Sequence, residues 1–200
     1  QKQALLEAFV RNGLNVLLLL PEPTAAGIAY AMNKSGSTLH IAVYDFGGGT
    51  LDVSILKVEG AQIIVLATEG VPKLGGNDIN AALRGHILEE VKRRTGGSPP
   101  THDPLFEMDL HAKIENAKLS LGSRTEVPVV VNLSGNSAII PVRQDQFHSM
   151  IAPFIKQSLE ALDRALAAAN LRKDQLHDVL MVGGTSRMPY IQESLAKHIG

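Results

Sequence analysis

The chain has 200 residues, enough for one or two domains, and its formal net charge of −1 argues against a general nucleic-acid surface. It has no cysteine, which excludes a disulfide framework and a thiolate metal site, and no apolar run is long enough to span a membrane. Because it opens on Gln1, without an initiating Met or a signal peptide, we expect a piece of a longer protein.

The first predicted elements are a helix over residues 3–11, a short buried strand over residues 15–20 and a helix over residues 24–32. Glu22 stands just before the third of these elements. An acidic residue is common there because of the helix dipole alone, so a functional role is left open. The polar residues 33–38 are a candidate hinge.

Residues 39–56 are the most informative stretch. A predicted strand ends at Asp45, a run of three glycines and Thr50 follows, and an alternating apolar run begins at once, which predicts an antiparallel hairpin. Glycine allows positive φ and leaves N–H groups uncovered, so a phosphate could approach Gly47, Gly48 and Gly49. Asp45 could hold Mg²⁺ through waters, with the Thr50 hydroxyl nearby. An ordinary turn with nothing bound is the alternative.

A strand over residues 61–68 would complete a three-strand meander. A second glycine-rich turn, Gly75-Gly76, then opens a helix, with Asn77 or Asp78 as its N-cap. This turn is either a cap and hinge or a phosphate contact. The apolar stripe of that helix is Ile79, Leu83, Ile87 and Val91.

A helix over residues 106–121 carries Glu115 and Lys118 as neighbours three residues apart, for which a surface ion pair is the alternative to a functional role. A hairpin over residues 126–142 and a helix from residue 145 to about 170, broken or kinked at Pro153, come next. A short strand over residues 179–182 then leads through a third glycine-rich turn into a helix from Tyr190. This passage predicts an anion site, although Arg187 could be an ordinary surface cation.

The three glycine-rich turns occur with three acidic residues, Glu22, Asp45 and Asp52, but without a covalent nucleophile. Phosphoryl transfer needs backbone donors, a metal held by carboxylates and a positioned water. The residues alone therefore predict a protein that binds a nucleoside phosphate with Mg²⁺.

The whole chain resembles the nucleotide-binding domain of the heat-shock 70-kDa chaperones, a family that includes bacterial DnaK. The resemblance rests on five motifs in the order of the family. They are Glu22-Pro23-Thr24-Ala25-Ala26-Gly27-Ile28-Ala29-Tyr30, Tyr44-Asp45-Phe46-Gly47-Gly48-Gly49-Thr50-Leu51-Asp52-Val53-Ser54, Leu74-Gly75-Gly76-Asn77-Asp78, Glu115-Asn116-Ala117-Lys118-Leu119-Ser120 and Val182-Gly183-Gly184-Thr185-Ser186-Arg187-Met188-Pro189.

The resemblance implies an α/β fold, an actin-like ATPase (ribonuclease H-like) lobe with an inserted α+β subdomain. Residues 1–35 would form the end of the first lobe and a crossing helix. Residues 36–74 and 152–200 would form the base of the second lobe, and residues 75–151 its mobile upper subdomain. Apolar residues that would contact the first lobe are expected to be exposed here. They are Leu5, Leu6, Phe9 and Val10.

The resemblance also implies ATP or ADP and Mg²⁺ as ligands. Glu22 and Asp45 would hold hydrated Mg²⁺ and the attacking water, Thr50 would assist near the γ-phosphate, and Asp52 would be an additional acid. Nucleotide contacts would come from Gly47, Gly48, Gly49, Gly75, Gly76, Glu115, Lys118, Leu119, Gly122, Gly183, Gly184, Thr185, Ser186 and Arg187. Gly122 departs from the serine, and Phe46 from the leucine, that is usual in the family.

By this resemblance the chain would be the second-lobe part of the ATPase domain of a cytoplasmic chaperone. The parent protein would couple ATP binding and hydrolysis to binding and release of unfolded polypeptides, with a J-domain co-chaperone and a nucleotide exchange factor as partners and neither nucleic acid nor membrane. This part alone would bind nucleotide weakly or not at all. The alternatives are a small-molecule kinase of the same fold and a non-catalytic, nucleotide-dependent interaction module.

Overall fold

A mixed four-stranded sheet organises the computed structural model, which describes residues 2–32, 38–60, 62–133 and 135–200. The strands are β1 (Thr38–Phe46), β2 (Thr50–Glu59), β3 (Gln62–Pro72), β4 (Glu126–Leu133), β5 (Asn136–Arg143) and β6 (Asp178–Val182). The helices are α1 (Lys2–Arg11), α2 (Glu22–Ala31), α3 (Gly76–Thr95), α4 (Pro104–Ser120), α5 (Gln144–Ala168) and α6 (Pro189–Ile199). The chain is therefore of the α/β class, as predicted.

The predicted meander is confirmed, since β1 pairs antiparallel with β2 and β2 with β3. Strand β6 returns parallel to β1, which gives the order β3-β2-β1-β6. Leu51 and Val53 are fully buried on the inner face. The side chain of Ser54 lies on the other face of the strand, yet it is also buried, and its hydroxyl lies 2.9 Å from that of Thr68. The reason is that helices cover this sheet on both sides.

Helix α2 covers one face of the sheet through small residues. A Cβ at Gly27 would lie 2.8 Å from Leu56 Cδ1, so a larger residue there would require the Leu56 side chain to shift. Helix α5 packs on the opposite face, and its apolar stripe joins the main core. The apolar stripe predicted for α3, which includes Ile87, is buried there as well, and so are the apolar side chains of α4, such as Ile114.

Three local predictions are wrong. Residues 15–20 form no strand, because among the described residues no strand pairs with them, and Leu17 is 89% exposed. Helix α5 runs unbroken through Pro153, so the predicted break is wrong, while the predicted kink stays a prediction. Burial of the apolar stripe outweighs the loss of one backbone hydrogen bond. The N-cap of α3 is Gly75 rather than Asn77 or Asp78, and the Asp78 carboxylate accepts a 2.8 Å hydrogen bond from the Gly75 N–H.

The amino-terminal segment leaves apolar surface uncovered, as predicted: Leu5, Phe9 and Val10 are exposed, whereas Leu6 is half-buried. Residues 33–37 of the predicted hinge lie outside the described residues. No helix within the described part of the chain is both long and apolar enough to cross a membrane.

An ionic cluster connects the carboxy-terminal helix α6 to α5. The Asp163 carboxylate of α5 lies 3.0 Å from Lys173 Nζ and 2.9 Å from His198 Nε2 of α6. Burial alone would raise the pKa of Asp163, but the hydrogen bonds from these two partners outweigh it and lower the pKa. The cluster therefore stabilises the ionised carboxylate.

Candidate nucleotide-binding site

The three glycine-rich turns, which are far apart in the sequence, meet at one point. The first turn is closed by a 3.0 Å hydrogen bond from Gly47 N to Thr50 O. The Gly47 carbonyl also accepts from Gly76 N of the second turn, at 3.1 Å, and from Thr185 Oγ1 of the third, at 2.8 Å. Asn77 N donates to Gly48 O over 2.8 Å. The carbonyls of the first turn thus hold the other two turns in place.

Close packing between the turns explains several of the glycines. A Cβ at Gly75 would lie 2.6 Å from Gly49 N, and one at Gly76 would lie 2.8 Å from Thr185 Oγ1. Gly183 combines a φ of +88° with a Cβ position 2.5 Å from the Phe46 carbonyl carbon. Any larger residue would push the turns apart.

Gly48, Gly49 and Gly184 need another explanation. None of the three has a left-handed φ, so the first turn does not use the freedom that we predicted for it. No described atom would lie within 4 Å of a Cβ at any of them. Neither backbone strain nor a protein neighbour therefore requires glycine at these positions. A phosphate that approaches the backbone would need this unoccupied space.

Three carboxylates stand beside the first turn. Asp45, near the end of β1, pairs in register with Asp52 of β2, and its Oδ1 would lie 2.8 Å from a Cβ at Gly183. Burial raises the pKa of Asp45, and the neighbouring Glu22 carboxylate at the start of α2 raises it further, with a smaller contribution from the charge of Asp52. Among the described residues, no group of three or more such side chains is arranged to hold a metal ion directly. Asp45 and Glu22 could therefore hold a divalent cation only through waters.

Glu115 and Lys118 of α4 form more than a surface ion pair. Lys118 is only 8% exposed, and its Nζ lies 2.9 Å from the Glu115 carboxylate. The same Nζ would lie 3.5 Å from a Cβ at Gly76, so the ammonium reaches the point where the turns meet. The Lys118 ammonium therefore adds a nearly buried donor beside the turns, although its charge is balanced by Glu115.

Sequence reasoning missed Asn80 of α3, whose Nδ2 donates to Glu115 Oε1. The only sequence signal was a polar residue inside a predicted helix, which gives no hint of its partner.

The remaining predicted residues differ in how far they are buried. Leu119 and Arg187 are exposed, whereas Thr185 and Ser186 are buried beneath the third turn. Gly122 connects the end of α4 to the third turn, since a Cβ there would lie 3.2 Å from Pro189 Cδ. The structure therefore brings the three glycine-rich turns together with Asp45 and Lys118. The roles predicted for Leu119 and Arg187, which are both exposed, stay predictions.

A family model described as Hsp70 protein matches residues 1–200. The chain belongs to the Hsp70 family. This Hsp70-family chain is 40% identical over 193 residues to a chaperone protein HscA homolog of Acidithiobacillus ferrooxidans and 39% identical over 200 residues to chaperone protein HscA of Escherichia coli. It is 37% identical over 206 residues to heat shock protein hsp-6 of Caenorhabditis elegans.

These alignments cover 96% to 100% of the Hsp70-family chain but only 30% or 31% of each relative. The chain thus spans about a third of the length of the curated relatives that it matches. The predicted family is confirmed.

Proposed function

We propose that this chain is the second-lobe part of the ATPase domain of a molecular chaperone. In this proposal the fold is an actin-like ATPase lobe, with residues 75–151 inserted as an upper subdomain between a base of residues 36–74 and 152–200. Residues 1–35 belong to the end of the first lobe. The observation that carries the proposal is the contact of three glycine-rich turns beside Asp45 and Glu22.

The phosphates of ATP or ADP bind at the open first turn. Gly47, Gly48 and Gly49 offer backbone N–H groups there, and Gly75, Gly76, Gly183 and Gly184 complete the surface. The short hydrogen bonds between the turns support this, because they fix the donors before the ligand arrives.

Glu22 and Asp45 would hold Mg²⁺ through waters. The closeness of these two carboxylates, which adds to the effect of burial in raising the pKa of Asp45, supports a cation there. The metal, when bound, neutralises phosphate charge and orients the attacking water. Thr50 lies one residue beyond the glycines, where its hydroxyl can hydrogen bond that water or the γ-phosphate. Asp52 adds negative charge beside Asp45 and assists in holding the hydrated ion.

The adenosine binds between the end of α4 and the third turn. Glu115 and Lys118 contact the ribose, and Leu119 and Arg187 lie against the two faces of the base. Gly122, Thr185 and Ser186 form the floor. The buried position of Lys118 supports this placement, since its ammonium faces the turns rather than bulk water.

The parent protein couples ATP binding and hydrolysis to binding and release of unfolded polypeptides in the cytoplasm. A J-domain co-chaperone and a nucleotide exchange factor act with it. The names of the relatives, chaperone protein HscA and heat shock protein hsp-6, support the chaperone role. A client-release assay on a protein of full family length that contains this chain separates a chaperone ATPase from a non-catalytic module.

This chain alone carries one side of the site, so it binds Mg·ADP weakly, with a Kd on the order of 1 mM. NMR titration of the 200-residue chain with Mg·ADP tests this. Lys118→Ala is expected to weaken the affinity roughly tenfold, because it removes a nearly buried cation. Lys113→Ala is the matched control, since Lys113 of the same helix pairs with Asp109 at the surface. The placement of the adenosine fails if both variants bind Mg·ADP as the wild type does. If the 200-residue chain does not bind, the same comparison is made on a protein of full family length that contains it.

A further inference from the structure

Asn80 is a buried polar residue in the helix that follows the second glycine-rich turn. Its side chain is 6% exposed, and it stands between Ile79 and Leu83 of the apolar stripe of α3. Its Nδ2 donates to Glu115 Oε1 across the interface between α3 and α4. A carboxamide with one charged partner in an apolar setting is an unusual choice for a position that only packs helices.

The other end of the Asn80 carboxamide is unsatisfied. Its Oδ1 is buried and accepts no hydrogen bond from the described residues. Turning the carboxamide over would place this oxygen against the Glu115 carboxylate, where the two would repel each other. The orientation is therefore fixed by Glu115, and the protein tolerates an unpaired acceptor to keep it.

The packing of α3 on α4 does not depend on Asn80. Leu83 and Ile114 bury apolar side chains in the same core, and one turn beyond Asn80 the Arg84 guanidinium makes a two-pronged ion pair with Glu107 of α4. A leucine at position 80 would remove the unpaired oxygen. Stability alone therefore does not explain the asparagine.

Asn80 acts instead on the orientation of Glu115. That carboxylate is held from α3 by Asn80 and from α4 by Lys118, whose Nζ is 2.9 Å from Glu115 Oε1. Two donors on one carboxylate leave it a single rotamer, and the same contact restrains the Lys118 ammonium beside Gly76. Both charged groups are thereby oriented before a ligand arrives.

We propose that Asn80 is a positioning residue of the nucleotide site, which holds Glu115 and Lys118 in the geometry that receives the ribose of a bound adenine nucleotide. This inference rests on the proposed function and adds a residue that touches neither phosphate nor nucleoside.

The test compares two ligands on the 200-residue chain. Mg·ADP engages both the glycine-rich turns and the adenosine contacts, whereas Mg·pyrophosphate engages the turns alone. Asn80→Leu is expected to weaken Mg·ADP roughly tenfold, to the affinity of Mg·pyrophosphate, and to leave pyrophosphate affinity and the melting temperature unchanged. A cavity along Asn80, Ala81 and Arg84 leaves room for the leucine methyl groups. Asn80→Ala, which adds no bulk, repeats the test in case the leucine disturbs folding.

Asn132→Leu is the matched control. Asn132 is an exposed residue of β4 that also donates to a carboxylate, that of Asp109, over 3.5 Å. Wild-type affinity of both Asn80 variants for Mg·ADP would overturn the inference and leave the proposed function intact. Equal losses for both ligands, with a lower melting temperature, would overturn it in favour of a purely structural role. If the wild-type chain binds neither ligand, the same variants are compared in a protein of full family length that contains this chain, where wild-type affinity of both Asn80 variants for Mg·ADP would overturn the inference.

Discussion

Replacing Gly75 with alanine should separate the first two glycine-rich turns. The φ of Gly75 is −165°, which any residue can adopt, so the effect would be purely steric. The new Cβ would lie 2.6 Å from Gly49 N, well short of the 3.4 Å at which ordinary contact begins. Both atoms belong to backbone that the β1–β2 hairpin and α3 hold in place, so side-chain rotation cannot relieve the clash.

The expected cost follows from two contributions. Overpacking at a rigid site costs about 2 kcal/mol. The displaced turns would also lose or weaken the bonds from Gly76 N to Gly47 O and from Asn77 N to Gly48 O, for roughly 1 kcal/mol more. For a domain of this size, about 3 kcal/mol lowers the melting temperature by about 9 °C.

Thermal unfolding followed by circular dichroism measures this change. Gly85→Ala is the matched control, because Gly85 lies on the same helix and no described atom would come within 4 Å of its new Cβ. That variant should gain about 1 kcal/mol from helix propensity. If Gly75→Ala melted at or above the wild-type temperature, the close approach of the turns could not be what requires glycine.

Three further substitutions separate stability from binding. Asp45→Asn should raise the melting temperature by about 1–2 °C without Mg²⁺ and abolish any rise on adding it, because repulsion from Glu22 at this partly exposed site costs little. Since the pKa of Asp45 is raised by folding, this gain should fade as the pH falls below that pKa. Gly48→Ala should leave the melting temperature within about 1 °C of wild type but weaken Mg·pyrophosphate binding roughly tenfold. Asp163→Asn should lower the melting temperature by about 2–3 °C at neutral pH, measured by calorimetry. Because folding lowers the pKa of Asp163, that difference should vanish as the pH falls through it.

Each of these outcomes can fail separately. A lower melting temperature for Asp45→Asn would mean that its carboxylate stabilises the fold. A large loss of stability in Gly48→Ala would mean that other protein atoms occupy the space beside Gly48. A loss in Asp163→Asn that persists at the lowest pH would show that the side chain matters through packing rather than charge.

The secondary structure could be predicted from the sequence wherever a periodic apolar pattern coincides with a buried face. The stripe from Ile79 to Val91 and the alternation from Leu51 to Ile55 predicted their elements, because each had a core to face. Residues 15–20 show the limit of such reasoning. Their apolar run has the composition of a strand, but a strand needs a pairing partner, which composition does not reveal.

The candidate site also has parts that could be predicted from the sequence and parts that could not. Each glycine-rich turn could be found from its own residues, yet the reason for glycine at position 75 or 183 is a neighbour on another turn. Asn80 could not be found, since a polar residue in a helix becomes informative only when the opposite helix is in place. Tertiary contacts, rather than local propensity, carry this part of the site.

The bond from Thr185 Oγ1 to Gly47 O has a consequence for folding kinetics. It joins residues 138 positions apart, so a long stretch of chain must be closed into a loop before this bond can form. We predict that this bond forms on the native side of the folding barrier rather than in its nucleus. A ligand that binds across the turns would slow unfolding and leave the folding rate almost unchanged. A bound nucleotide would then lower the unfolding rate, whereas the chain without nucleotide would fold at almost the same rate as the chain with it.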